Sequence, residues 1–293
     1  LGGITASPSN NAIEEESELV VAPFFLVGGG VRILDWLTVG LAVYPVASAS
    51  GEYLYEAAEE DVEDSTTLVF IEGTLGAAVN FDSIGLRLGA GYRLTSVSLT
   101  RKQIVGSNPV IEFNMSGWNF ASFRVGAQWT AIQDHLSIGV SYRHKTVTEI
   151  TADEVTTFLG PATDGSAEVT LPGRMIFGLR GDYASFGAAV DLEYAFNQQN
   201  ERLRLKGTLG GGGEVALDNI FKWENAITLR VGGEDRWQVG DNTFIPRLGF
   251  VFDARTARKE YPSAFGTPPG PTYVLTAGFG FERGPYGASL AYG

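Results

Sequence analysis

RMIFGLRGDYASFGAAVDLEYAF, residues 174–196, reads as two strands joined by the tight link Tyr183–Ser185. In its second half Phe186, Ala188, Val190, Leu192, Tyr194 and Phe196 alternate with Gly187, Ala189, Asp191 and Glu193. A period of two places these sets on opposite faces of a sheet. The same alternation recurs along the chain. Leu37, Val39, Leu41 and Val43 form one apolar set, and Ile84, Leu86, Leu88, Ala90 and Tyr92 a second. Phe123, Val125, Ala127 and Trp129 form a third, and Leu136, Ile138, Val140 and Tyr142 a fourth. About twelve such runs are legible.

The connections alternate in length. Tight links fall at Ile33–Trp36, Asn80–Ser83, Thr130–His135, Tyr183–Ser185, Trp237–Asn242 and Glu282–Pro285. Long polar stretches near Ala47–Thr66, Leu99–Ser116, Val147–Glu168, Leu203–Phe221 and Ala254–Thr272 separate the other strands. Short turns at one end and long loops at the other are the pattern of a transmembrane β-barrel. The expected fold is therefore all-β, a transmembrane antiparallel barrel occupying residues 1–293 as one domain.

The polar face carries Glu72, Arg87, Arg93, Arg124, Arg143, Arg180, Asp191, Glu193, Arg230, Glu234, Arg247 and Asp253 within strands. A soluble sandwich would turn these charges to solvent and pack the apolar face between two sheets. A barrel in lipid turns the apolar face outward and encloses the charges. Loop asymmetry and long runs such as Ser83–Leu99 and Ser116–Ile132 favour the barrel. Trp36, Trp129 and Trp237 next to short turns, and Trp118 and Trp223 near long loops, fit two interfacial aromatic belts. The enclosed charges read as an ion-paired ladder, because buried charges need partners. The alternative is an anion-selective or carboxylate-guiding constriction at Arg87, Arg93, Arg124 and Arg143.

Composition excludes several classes. There is no cysteine, so thiolate metal sites, disulfides and a cysteine nucleophile are absent. A net charge of −13 disfavours nucleic acid. The two histidines, His135 and His144, support neither a metal site nor a catalytic triad. No enzyme, catalytic residue, metal or cofactor is expected. Glu14, Glu15, Glu16 and Glu18, and a second group from Glu52 to Asp64, read as solvated loops or as cation bridges to lipopolysaccharide. Phe158, Leu159 and Phe265 read as an outer capture surface or as loop packing.

Strand parity leaves both ends of the sequence on the long-loop side. One further strand before Leu1 and one after Gly293 would bring the termini to the other side, about fourteen in all.

Several segments resemble the FadL/TodX family of outer-membrane transporters for long-chain fatty acids and other hydrophobic compounds. VAPFFLVGGGVRILDWLTVGLAVYP at Val21–Pro45 is similar to its second and third strands, and LRLGAGYRL at Leu86–Leu94 to its fifth. LSIGVSYRHK at Leu136–Lys145, LPGRMIFGLRGDY at Leu171–Tyr183, VDLEYAF at Val190–Phe196, Ile227–Asp253 and Tyr273–Tyr292 extend the likeness. The resemblance implies a monomeric Gram-negative outer-membrane barrel plugged by an N-terminal hatch. It also implies passive uptake of a hydrophobic small molecule that leaves sideways at Tyr44, Pro45 and Val46. Pro45 cannot complete a central ladder, so it marks either a gap in the wall or the end of its strand. The hatch with the first strand, and the last strand, are not in the sequence given. The outer loops are shorter than in the fatty-acid importers, and Arg101–Met115 lacks a long helical insertion. A general polar-solute porin and an adhesin or scaffold barrel are the alternatives.

Overall fold

The computed structural model describes residues 25–57, 60–258 and 270–293, together with short strand fragments before residue 23. The wall opens with β1 (Val27–Leu34), β2 (Leu37–Ala57), β3 (Glu60–Phe81), β4 (Leu86–Val105), β5 (Asn108–Ile132) and β6 (Leu136–Arg143). A hairpin of β7 (Thr146–Thr157) and β8 (Gly160–Leu171) follows, then β9 (Arg174–Tyr183) and β10 (Phe186–Ala195). A second hairpin, β11 (Arg202–Leu209) and β12 (Glu214–Ile220), precedes β13 (Ala226–Asp235) and β14 (Trp237–Val239). β15 (Asn242–Asp253), β16 (Thr272–Arg283) and β17 (Tyr286–Tyr292) complete the chain.

Every ladder is antiparallel. β1 to β6 pair in sequence. The ladder then passes from β6 to β9, β10, β13, β15, β16 and β17. Twelve strands thus form the membrane wall, as the alternation predicts, and β14 continues β13 along β15. The strand order runs round a barrel in which β17 and β1 are neighbours, and every residue of both strands is exposed. The six tight links are turns. At Gly85 the turn needs a left-handed residue, φ 66°, and a Cβ there would lie 2.8 Å from the Thr130 carbonyl oxygen.

Four of the long stretches are not irregular loops, as their polarity suggests, but strand over most of their length; Ala254–Thr272 lies largely outside the described residues. β2 and β3 stay paired out to Ala57↔Glu60, and β4 and β5 to Val105↔Asn108. β5 continues into β7, β7 into β8, β8 into β11 and β11 into β12. Polar side chains are compatible with this because one face of each hairpin looks into water.

Two regimes meet along the same strands. On the short-turn side Leu41, Leu75, Leu88, Val125, Leu179, Leu192, Val231 and Leu248 are exposed outward, the lipid-facing surface. On the long-loop side Leu68, Phe70, Val97, Leu99, Phe113 and Met115 point inward and are buried. They pack with Ile150, Val155, Val169, Leu171, Leu205, Val215 and Phe221 from the two hairpins. The outer half is a sheet folded over on itself around an apolar core; the inner half is a lipid-facing barrel. The switch is legible in LRLGAGYRLTSVSLT, residues 86–100, where the apolar set passes from even to odd positions after Leu94.

Candidate functional site

The switch falls at a belt of strand irregularities and buried charge. Pro45 pairs with Ile71 and Ala47 with Phe70, so Val46 is the extra residue of a bulge. Before the bulge Ala42 and Tyr44 face inward; after it Ala47 and Ala49 pack against the apolar core. β5 changes face likewise, where Arg93↔Ser122 gives way to Thr95↔Asn119. Pro45 does not end its strand, which is the second of the two sequence readings. β2 runs through it, and the missing amide is accommodated by the bulge.

Directly beside the bulge lies a collar of charge. Glu72 and Arg93 are both fully buried and paired, with Arg93 Nε 2.7 Å from Glu72 Oε2 and Nη2 closer still. Arg93 Nη1 donates to the His144 carbonyl at 2.8 Å. On its other oxygen Glu72 accepts from Tyr44 (2.6 Å), Thr74 (3.0 Å) and Arg124 (3.1 Å). Arg124 also reaches the Tyr44 hydroxyl at 2.6 Å and lies over its ring. Farther round the wall Glu193 holds Arg174 at 2.6 Å and Arg230 at 2.8 Å. Arg143 donates to the Pro172 carbonyl at 3.0 Å and pairs with no carboxylate among the described residues. The buried Nε atoms of Arg124, Arg143 and Arg174 have no hydrogen-bond partner there. Four guanidiniums thus share Glu72 and Glu193, and Arg143 pairs with neither. With Asp253 level with Glu193 across Thr228, five guanidiniums meet three carboxylates among the described residues, and the collar is cationic.

The expected ladder is broken into pieces. Nearer the short turns, Arg180 pairs with Asp182 at 2.7 Å and Glu234 at 2.9 Å, and Arg247 joins Glu234 at 2.9 Å. Arg87 and Asp191 make no ion pair among the described residues, and Asp253 accepts a hydrogen bond from Thr228 at 2.6 Å. Height separates the Arg180–Glu234–Arg247 cluster from the collar, because strand register sets enclosed groups at different levels of the wall. Asp191, by contrast, stands directly across from Arg230, which turns to Glu193 instead. Tyr44, grouped by sequence with the lateral opening, belongs to the collar. Arg174 was missed, although its even position matches Gly178 and Arg180.

Below the collar the lumen is uneven. On the β2–β5 side Gly40, Ala42, Gly76, Gly89, Gly91 and Gly126 line a cavity of about 600 Å³. Across from it Arg180, Asp191, Arg230, Glu234 and Arg247 line one of about 320 Å³. The larger hollow, with Arg87 and Arg124 also in its lining, lies on the β2 side. There β1 is laddered to β2 only up to Val27↔Val43, so among the described residues Tyr44 and Pro45 have β3 partners but no β1 partner, and Val46 has neither. Phe158 and Leu159 are exposed at the β7–β8 tip. Phe265 lies outside the described residues, as do the acids Glu15, Glu16 and Glu18.

The comparisons follow this geometry. The fold is that of the FadL/TodX-type channel barrels. A Pseudomonas aeruginosa FadL homologue matches at TM-score 0.71 with 16% identity, over 91% of this chain and 68% of that one. The P. putida toluene transporter TodX matches at 0.64 with 16% identity, over 99% and 79%. The monoaromatic hydrocarbon channel CymD matches at 0.56 with 15% identity, over 91% and 80%. No protein-family model and no curated protein sequence matches the chain.

Proposed function

We propose that this protein is an outer-membrane channel for the passive uptake of hydrophobic small molecules, with a lateral exit at Pro45–Val46. The observation that carries the reading is the break in the wall. The bulge interrupts the β2–β3 register, the β1 side of Tyr44–Val46 is unpaired among the described residues, and the larger hollow is lined by the same strand up to Ala42. A hydrophobic molecule in that hollow would meet mainly glycine, alanine and aliphatic side chains, with Arg87 and Arg124 also in the lining, then bilayer hydrocarbon beyond the wall. Leaving into lipid is downhill for an apolar solute and needs no energy source. Phe158 and Leu159 would offer the first apolar contact. The collar is in part a structural clamp, and its surplus guanidiniums would attract a carboxylate head group if the cargo has one.

Reconstituted vesicles test the exit. Pro45→Ile restores an amide and favours a closed ladder. Uptake of a fluorescent hydrophobic probe should slow, and an unchanged rate would rule out an exit at this point. The cationic collar favours a second reading, a polar-solute porin. Steady ion conductance in planar bilayers would support it. The packed outer core argues against it, because water and ions have no path through buried leucine and phenylalanine.

A further inference from the structure

The same apolar core bears on entry. Among the described residues it fills the outer half of the barrel, and on the uptake reading cargo reaches the hollow only if it parts. The β7–β8 hairpin stands outside the twelve-stranded wall and is laddered to it by few residues. Internally it is well made, paired from Thr146↔Leu171 to Thr157↔Gly160. Its ties to neighbours are sparse. Thr151↔Ser116 and Thr156↔Glu112 join it to β5 with an irregularity between them. Ala162↔Leu209, Thr163↔Thr208 and Ser166↔Lys206 join it to β11, again irregularly. By contrast β3 and β4 are matched residue for residue from Val62↔Val105 to Phe81↔Leu86.

Its base is held firmly. Asn119 donates to the Val147 carbonyl at 2.6 Å, Ser122 bonds Thr146 at 2.8 Å, and Gln199 accepts from the Gly173 amide at 2.9 Å. Gly117 is the bearing: a Cβ there would sit 2.0 Å from the Glu149 carbonyl oxygen, so only glycine lets β5 pass this close to β7. The inner face of the blade is apolar, with Ile150, Val155, Val169 and Leu171 seated in the core.

We infer that the β7–β8 hairpin is an entry gate that pivots on its clamped base and is opened by apolar cargo. With water outside, swinging it open would expose the core, so the resting state is closed. A hydrocarbon entering behind it replaces the lost contacts, whereas a polar solute does not. The gate therefore selects by apolarity before the collar is reached. It rests on the uptake reading only for its purpose, and the hinge stands on geometry alone.

The absence of cysteine makes the test clean. Ser116→Cys with Thr151→Cys would tie the blade to β5 through exposed, facing positions. Thr148→Cys with Val169→Cys would tie the hairpin only to itself. In vesicles, oxidation of the first pair should reduce toluene uptake to the level of protein-free vesicles, and reductant should restore it. The second pair should have no effect. Equal uptake before and after cross-linking of the first pair overturns the gate. Independently, spin labels at Asp164→Cys and Ser98→Cys should show a longer, broader separation when toluene is added. A separation that toluene leaves unchanged also overturns the gate. A widened separation without any transport supports the gate and rejects the uptake reading instead.

Discussion

Removing the Glu72 carboxylate should cost far more than removing the Glu72–Arg93 pair. Both side chains are fully buried. In Glu72→Ala, Arg93 keeps only the His144 carbonyl among its bonds, and Tyr44, Thr74 and Arg124 lose a shared acceptor. An uncompensated buried charge of this kind costs about 3–5 kcal/mol. The double change Glu72→Met with Arg93→Met removes both charges and fills a similar volume, so it should stay within about 1 kcal/mol of the parent. Arg124 tolerates either change better, since its side chain is 40% exposed towards the lumen. Urea unfolding in lipid vesicles, followed by tryptophan fluorescence, gives the free energies, and the double-mutant cycle isolates the coupling. Equal losses for the single and double variants would mean that the carboxylate is not neutralising Arg93, and the account of the collar would fail.

Three other outcomes are expected. Leu88→Arg places a charge on the lipid face and should destabilise the barrel by about 2–4 kcal/mol if it lies near mid-bilayer, while Arg87→Leu, one residue away on the lumen face, should be nearly neutral; unfolding in vesicles distinguishes the two. Gly117→Ala should cost about 1–3 kcal/mol, because backbone rather than a flexible side chain must move, and amide exchange in β7 should quicken. At the outer surface Arg255, with help from Arg258, holds the Glu224 carboxyl below its ordinary value of 4.5. A depressed folded value means the clasp contributes above 4.5 and is lost as pH falls through the lowered value. Fluorescence of the adjacent Trp223 should change in that acid range, and Arg255→Gln should move the change upward.

Period-two alternation with brief turns at one end was enough to read the wall, because a lipid-facing strand must be apolar on one side throughout its crossing. Hence Leu86, Leu88 and Tyr92 were assigned to one face and Arg87 and Arg93 to the other from the chain alone. The polarity of the outer hairpins suggests loops, yet a strand with one face in water is polar too. The cue that was available is the change of apolar phase after Leu94, which marks where lipid gives way to a folded-over sheet.

Alternation fixes which side of the wall a residue faces, and nothing about its height. Height comes from strand register, bulges and tilt, which arise only when neighbours pair. That is why Glu72 meets Arg93, Tyr44 and Arg124, why Arg180 and Arg247 form a separate cluster with Glu234, and why Arg143 has no acid partner among the described residues. The Val46 bulge, the hollow lined by the same strand and the lightly stitched β7–β8 hairpin are likewise products of pairing between distant segments. The sequence determined a barrel with charge inside; the tertiary structure decided where it is clamped, where it is open and where it can part.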